Sequence, residues 1–214
     1  MATKSVRKVG GRRRRRSVVE ARREILDAAE QLLSTGGPDA VRVQVVARAV
    51  GMSDAAVHYH FDSREGLVDA LVRDVGRRMK AELGDVVNGW RRSDVDIRSL
   101  VTLLDEKYRV RGYARLTAWM RLSGWRPRGS GMFRPLAEAM HETRSGSARS
   151  DRTVPVTLED SLHVVTLLNL VTWAEPLVGA EWRRSVGLPG TAQASEQFRQ
   201  WFSALVQAHL DTVA

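Results

Sequence analysis

The sequence predicts an all-α protein, because apolar residues recur at helical spacing along most of its 214 residues. Breaks in this spacing coincide with glycine and proline, and no stretch alternates convincingly between apolar and polar residues as a half-buried strand would. Gly84 is the predicted stop of the fourth helix, so a smaller domain at residues 17–84 is expected to precede a larger one at residues 85–214. The predicted helices cover residues 18–35, 43–50, 54–61, 63–83, 94–109, 112–124, 132–145, 157–175 and 192–212.

Residues 41–67 have a spacing that fits two short helices joined by a tight turn. The small side chain of Ala47 lets the second helix approach closely, Gly51 can take the positive φ of the turn, and Val57 can pack the pair against a core. This spacing predicts a helix-turn-helix, a unit that places a helix in the major groove of DNA. Beyond it, Asp62 is the predicted N-cap of the fourth helix, with Glu65 as its reciprocal partner.

These segments together resemble the TetR family of one-component transcriptional regulators, from Ile25 to about Leu71. The resemblance implies an N-terminal three-helix helix-turn-helix DNA-binding domain, followed by a C-terminal helical bundle for ligand binding and dimerisation. It also implies a ligand-responsive repressor that binds a palindromic operator as a homodimer and is released by a small effector. The matching segments are Ile25 to Ala29, Gly36 and Gly37, Val46 and Ala47, Gly51 to Ser53, His60 and Phe61, and Ser63 to Glu65.

The third helix carries the residues that the resemblance places in the major groove. Ser53 is placed to cap this helix and to offer its backbone N–H to a phosphate, although a purely structural cap explains it equally well. His58 stands where the family usually has Tyr, and both His58 and Tyr59 could donate a hydrogen bond to phosphate. Asp54 stands where Lys is frequent, so it either accepts from a cytosine amino group or favours the helix N-terminus. The candidates for base reading are Asp54, Ala55, Ala56, His58 and Tyr59.

Three further residues flank this helix. Arg42 and Gln44 match positions that touch DNA backbone or bases in the family. Arg42 replaces the usual Thr or Ser cap, so it can reach phosphate but cannot cap its own helix. Arg64 matches a basic family position and is expected to contact phosphate, with a surface ion pair as the alternative.

The net charge of +9 is concentrated at the N-terminus. Residues 1–23 contain ten of the 34 basic residues and one acid, so the rest of the chain has equal numbers of basic and acidic residues. We expect residues 1–16 to form a disordered basic arm. This arm is either a solvated tail or a segment that contacts phosphates and a narrow minor groove. An arm that acted alone would make this a sequence-tolerant nucleic-acid-binding protein. The arginines concerned are Arg12, Arg13, Arg14, Arg15 and Arg16.

The last helix carries a wide apolar stripe, which needs a partner surface. Together with the preceding helix it resembles the four-helix interface between two family subunits, and the alternative is packing within a single subunit. The residues expected in a homodimer interface are Leu162, Val165, Asn169, Phe198, Trp201, Phe202 and Leu205.

An effector site is expected among aromatic and flexible side chains of the second domain. Each of them is individually better explained as core, but collectively they suggest a small apolar or aromatic effector, because flat and adaptable side chains suit such molecules. The candidates are Tyr108, Trp119, Met120, Trp125, Phe133, Met140, His141 and Trp173.

Other classes of protein are disfavoured. We find no nucleophile–base pair, phosphate loop or metal-ligand spacing, so neither an enzyme nor a cofactor is expected. His58 and His60 are about 200° apart on a helix, so their rings diverge. The basic start lacks a following apolar segment, residues 164–180 are interrupted by polar groups, and a cytoplasmic protein is the default expectation. The absence of cysteine excludes disulfides.

Overall fold

The computed structural model describes residues 17–124, 131–146 and 155–212, which places the arginine arm and Trp125 outside the described residues. Within those ranges all regular structure is helical, so the predicted all-α class is confirmed. A 3₁₀ turn at Pro38–Ala40 follows α1, and a π-helical segment at Glu106–Val110 continues α5. The α-helices are α1 Val18–Gly36, α2 Val43–Ala49, α3 Asp54–Phe61, α4 Arg64–Trp90, α5 Ile97–Asp105, α6 Tyr113–Leu122, α7 Arg134–Gly146, α8 Leu158–Ser185 and α9 Ala192–Thr212.

Helix α1 begins with a capping box. The Ser17 hydroxyl accepts a hydrogen bond from the Glu20 backbone N–H at 3.1 Å, and the Glu20 carboxylate accepts from the Ser17 N–H at 2.8 Å. These bonds, first that to the Ser17 backbone, lower the pKa of Glu20. The helix buries Ile25 and Leu33 completely and ends where Gly37 takes a φ of 73°.

Helix α4 passes through Gly84, so the predicted stop at that residue is wrong. Glycine inside a helix costs about 1 kcal/mol relative to alanine, which does not end a helix whose apolar face continues. Met79, Leu83, Val87 and Trp90 continue that face at helical spacing, and all four are buried in the second core. The fourth helix therefore joins the two parts of the molecule without a break.

Helix α8 likewise continues past its predicted end near residue 175, through Pro176 to Ser185. Proline removes one backbone donor and is costly inside a helix. Here Glu175, just before Pro176, forms a buried ion pair with Arg183 at 2.5 Å and accepts from the Ser195 hydroxyl at 2.7 Å. These contacts connect the two sides of the proline and hold the start of α9. By length and composition α8 could cross a membrane, but a single such helix is a weak indication, since core helices of soluble proteins pass the same test.

Two apolar cores form, and they do not divide at residue 84. The second core combines the C-terminal half of α4 with α5, α7, α8 and α9. The first core contains α1 to α4 and also the apolar face of α6, where Tyr113, Leu116 and Met120 are buried. Gly112, with a φ of 77°, lies against the Leu33 carbonyl of α1 and begins α6 at this position.

A buried polar cluster holds α1, α4 and α6 together. The Glu30 carboxylate of α1, 4% exposed, accepts from the Tyr113 hydroxyl and from Arg78 Nη2 at 2.6 Å. Arg78 Nε lies 3.0 Å from the carboxylate of Asp74, which is also buried. Burial, followed by the hydrogen bond to Glu30, raises the pKa of Tyr113. Buried charges are stable only when they are paired, so this cluster restricts how the three helices can pack.

We predict that Tyr113→Phe lowers the free energy of unfolding by about 2 kcal/mol, because a hydrogen bond to a buried carboxylate is lost. Tyr59→Phe is the matched control, since it removes a hydroxyl from a side chain that is 77% exposed. Its stability should stay within about 0.5 kcal/mol of the parent protein. Denaturant unfolding followed by circular dichroism measures both, and equal stabilities for the two variants would contradict the role assigned to Tyr113.

Candidate nucleic-acid interface

The turn between α2 and α3 has the geometry expected of a helix-turn-helix. Gly51 has a φ of 63°, as predicted, and the Met52 backbone N–H donates to the Ala47 carbonyl at 2.9 Å. A residue with a Cβ would be strained at Gly51. Ala47 is 1% exposed, so its small side chain is buried in the first core. The relative direction of α2 and α3 follows from this turn.

Helix α3 has one face in the core and the opposite face in solvent. Ser53 begins it as an N-cap, accepting from the Ala56 backbone N–H at 3.2 Å, which confirms the predicted cap. Val57 and Phe61 are buried against the first core, whereas Ala55 and Tyr59 are exposed on the other side. Because α3 packs on the core through one face only, the side chains of its other face are accessible to a partner.

The cap between α3 and α4 differs from the prediction. Asp62 has a φ of 60° and closes α3 by donating its backbone N–H to the His58 carbonyl at 2.7 Å. The extended residue that begins α4 is Ser63, whose hydroxyl accepts from the Gly66 N–H at 3.0 Å. Asp62 is therefore not the N-cap, because its backbone has the wrong conformation for that position. Gly66 is required here, since a Cβ would collide with the Phe61 carbonyl.

Arg22 anchors the C-terminal end of α3, a role that the sequence did not reveal. Its Nη1 donates to the His60 carbonyl at 2.6 Å, and its guanidinium lies 4.3 Å from the centre of the Phe61 ring. In the sequence Arg22 is indistinguishable from the basic residues that precede it. No local pattern signals a contact between residues 38 positions apart.

Arg64 also makes contacts inside the protein. Its Nε donates to the Val41 carbonyl and its Nη2 to the Pro38 carbonyl, each at 2.9 Å, and its guanidinium lies 5.3 Å from the Trp119 ring centre. This geometry favours a structural role over the expected phosphate contact. It connects the start of α4 to the segment before α2 and to α6.

Arg42, Gln44 and His58 line one cleft of about 650 Å³ beside α3, together with Ser63. Arg42 stands at the N-cap position of α2 and makes no capping bond, as predicted; its Nε donates to the Asp39 carbonyl at 3.0 Å. The structure therefore brings Arg42 and Gln44, the predicted flanking residues, next to His58 of α3. Asp54, at the first position of α3, is exposed.

The residues predicted to enclose an effector do not form one set. Met120 is buried in the first core, and Trp119 packs against that core beneath Arg64. Met140 is fully buried in the second core, Phe133 packs at its edge, and His141 is half-exposed near Ser145. The prediction of a common lining is wrong for Met120, because α6 turns its apolar face to the first core.

Tyr108 and Trp173 lie where the two cores meet. The Tyr108 hydroxyl donates to Asn169 Oδ1 at 3.2 Å, and Trp173 Nε1 donates to the Thr117 hydroxyl at 2.7 Å. Burial raises the pKa of Tyr108 to about 12, so its hydroxyl stays a donor at neutral pH. The π-helical segment, the start of α6 and the middle of α8 meet at these two hydrogen bonds.

The residues predicted for dimerisation fall into two groups. Val165 and Phe202 are buried in the core of their own subunit, while Leu162 and Asn169 are half-buried. For Val165 and Phe202 the alternative of packing within one subunit is the correct one. Trp201 is 59% exposed and Leu205 is 50% exposed. Phe198 is half-buried and its ring stacks on that of Phe202.

Comparison with known proteins relates the N-terminal part of the chain to transcriptional regulators. Residues 25–71 match the family model described as bacterial regulatory proteins, tetR family. An uncharacterised HTH-type transcriptional regulator from Mycobacterium tuberculosis is 36% identical over 99 residues, which are 44% of this chain and 46% of the relative. The HTH-type transcriptional repressor KstR2 from Rhodococcus jostii is 31% identical over 81 residues, covering 38% of this chain and 40% of that protein. The match spans less than half the length of these relatives.

A solved structure shares the whole fold. A TetR-family transcriptional regulator from Pectobacterium atrosepticum superposes with a TM-score of 0.56 at 15% sequence identity, covering 88% of this chain and 93% of that one. At this identity the similarity concerns the fold alone. The family model thus matches the part that contains the helix-turn-helix, whereas the similarity in fold covers most of the chain.

Proposed function

The chain belongs to the TetR family through its N-terminal domain, and we propose that it regulates transcription by binding a two-fold symmetric DNA operator as a homodimer. The observation that carries this proposal is the arrangement of α3, with Val57 and Phe61 buried behind it and Tyr59 exposed in front. A recognition helix must be rigidly held on one side and open on the other. Repression rather than activation is suggested by the names of relatives such as KstR2.

The proposed DNA-contacting surface comprises the outer face of α3 and the adjoining end of α2. Arg42 supplies a cation for phosphate, and the exposed hydroxyl of Tyr59 can donate to phosphate or to a base. The arm arginines, outside the described residues, are proposed to add contacts that do not depend on sequence. Arg64 is left out because its guanidinium donates to two backbone carbonyls. The residues of the surface are Arg42, Gln44, Ser53, Asp54, Ala55, Ala56, His58 and Tyr59.

We predict that selection from a random DNA pool yields a two-fold symmetric site with half-sites about 34–36 Å apart or a multiple of that spacing. Tyr59→Ala should weaken binding to that site by about tenfold, the loss expected for a hydrogen bond to a charged phosphate. Leu122→Ala, at a side chain 90% exposed at the end of α6, is the control and should bind normally. Fluorescence anisotropy measures both affinities.

Two outcomes would count against this assignment. Recovery of no common sequence would favour the sequence-tolerant binder that relies on the arginine arm. Unchanged affinity in Tyr59→Ala, with the fold intact by circular dichroism, would show that the outer face of α3 is not the reading surface.

Dimerisation is proposed through the exposed sides of α8 and α9. Leu167 and Leu170 are 46% and 59% exposed on α8, and Trp201 and Leu205 are 59% and 50% exposed on α9. Large exposed apolar side chains on two helices that contact each other are typical of an interaction surface. The opposite sides of the same helices pack into the second core, so each helix can serve its own subunit and a partner copy. A homodimer would carry two α3 helices, one for each half of a two-fold symmetric site.

We predict that Leu205→Glu converts the dimer to a monomer, because the interface would bury a carboxylate without a partner. Val110→Glu, at an equally exposed residue of the π-helical segment, is the matched control and should remain dimeric. Sedimentation equilibrium gives the masses. A monomeric Leu205→Glu should also bind a full operator more weakly, whereas a dimeric one would exclude α9 from the interface.

We further propose that a small apolar or aromatic effector binds near Tyr108 and Trp173, where the π-helical segment, α6 and α8 meet. Both aromatic rings are half-buried and hydrogen-bonded by Asn169 and Thr117 respectively, so the region combines flat apolar area with a few polar groups. An effector releases DNA only if it prefers an arrangement in which the two α3 helices no longer match the groove spacing. Helix α4 connects the first core to the second and can transmit such a change.

We predict that an aromatic compound that quenches the fluorescence of Trp173 lowers operator affinity by about 5- to 150-fold at saturation, the range of a 1–3 kcal/mol coupling. Trp173→Phe, which removes the donor to Thr117, should alter the affinity for that compound more than the affinity for the operator. Trp182→Phe, at a side chain 72% exposed, is the control. A compound that binds tightly and leaves operator affinity unchanged would exclude it as an inducer.

A further inference from the structure

The hydrogen bonding of His58 determines which of its ring nitrogens carries the proton. His58 Nδ1 lies 2.9 Å from the backbone carbonyl oxygen of Asp62. A carbonyl oxygen can only accept a hydrogen bond, so Nδ1 is the donor and carries the hydrogen. In a neutral imidazole the other nitrogen then has no hydrogen, and Nε2 is an acceptor.

The fold determines that Nδ1 carries the hydrogen, because it fixes the position of the Asp62 carbonyl. Asp62 closes α3 with a φ of 60°, the conformation that separates the end of α3 from the cap of α4. The Asp62 carbonyl therefore belongs to the backbone of the helix-turn-helix itself. His58 is exposed on α3 and lines the cleft shared with Arg42 and Gln44.

An acceptor at this place has few partners on DNA. Phosphate oxygens, the N7 and O6 atoms of guanine and the O4 atom of thymine are all acceptors, and none of them can pair with Nε2 of a neutral ring. The donors in the major groove are the exocyclic amino groups of adenine and cytosine. The neutral ring therefore cannot make the phosphate contact that the sequence suggested for His58.

We propose that His58 is a specificity-determining residue that accepts a hydrogen bond from the exocyclic amino group of an adenine or cytosine in the operator. The proposal rests on the proposed function, because it requires α3 to enter the major groove. His58 would accept a hydrogen bond, whereas Arg42, which lines the same cleft, can only donate. The two side chains therefore select different groups along the same stretch of groove.

The test uses the full chain and the operator obtained by selection at pH 8. Each adenine of a half-site is replaced in turn by purine, which lacks the 6-amino group but retains N7, and each cytosine by 2-pyrimidinone, which lacks the 4-amino group. At one position the parent protein should lose about 3- to 10-fold in affinity, the range for one hydrogen bond.

Two variants of His58 separate reading from folding. In His58→Asn the amide nitrogen can occupy the place of Nδ1 and still donate to the Asp62 carbonyl, but no atom replaces Nε2. This variant should bind the natural operator about 3- to 10-fold more weakly and be indifferent to the base analogue. His58→Gln carries its amide to the place of Nε2 and can present an oxygen acceptor, so it should remain sensitive to the analogue.

The outcomes are distinguishable. Selection of a site at which every amino-group deletion has the same effect on the parent protein and on His58→Asn would overturn the inference. That result would leave the proposed function standing. The inference would also be overturned if, at pH 8, replacing a guanine by 7-deazaguanine weakened binding of the parent protein but not of His58→Asn. That result would show that His58 donates a hydrogen bond to guanine N7. If no site is selected at all, both the proposed function and the reading role of His58 fail.

Discussion

Glu30 is a buried carboxylate that three helices share, and the arrangement of the molecule depends on how it is paired. Arg78 of α4 and Tyr113 of α6 both donate to it. Removing one partner from a buried ion pair typically costs 3–5 kcal/mol, so packings that separate α1, α4 and α6 are strongly disfavoured. This constraint keeps α6 on the first core although its neighbours in the chain belong to the second.

Two helices connect the surroundings of α3 to the second core. Helix α4 begins directly after α3 and ends in the second core. Helix α6 packs on the first core and places Trp119 beneath Arg64, which in turn holds the segment before α2. The proposed effector response would use these two helical connections.

The arginines around α3 differ in their surroundings. Arg22 and Arg64 donate to backbone carbonyls and stack on aromatic rings, so they stabilise the motif. Arg42 lines the open cleft, where its charge is available to a phosphate. Arginine serves both purposes because its planar guanidinium can hydrogen-bond and stack at the same time.

Local chemistry in the sequence was sufficient to predict the helical class, the turn at Gly51, the cap at Ser53 and the inward position of Val57, because each depends on a few neighbouring residues. It was insufficient at Gly84 and Pro176, where local helix-breaking tendency is outweighed by an apolar face or a buried ion pair. The tertiary structure alone decided that Arg64 holds the motif together, that Met120 belongs to the first core, that Val165 and Phe202 face inward, and that His58 Nδ1 donates to Asp62. These assignments depend on which surfaces meet and on the backbone conformation at single residues, and apolar periodicity along one helix contains neither kind of information.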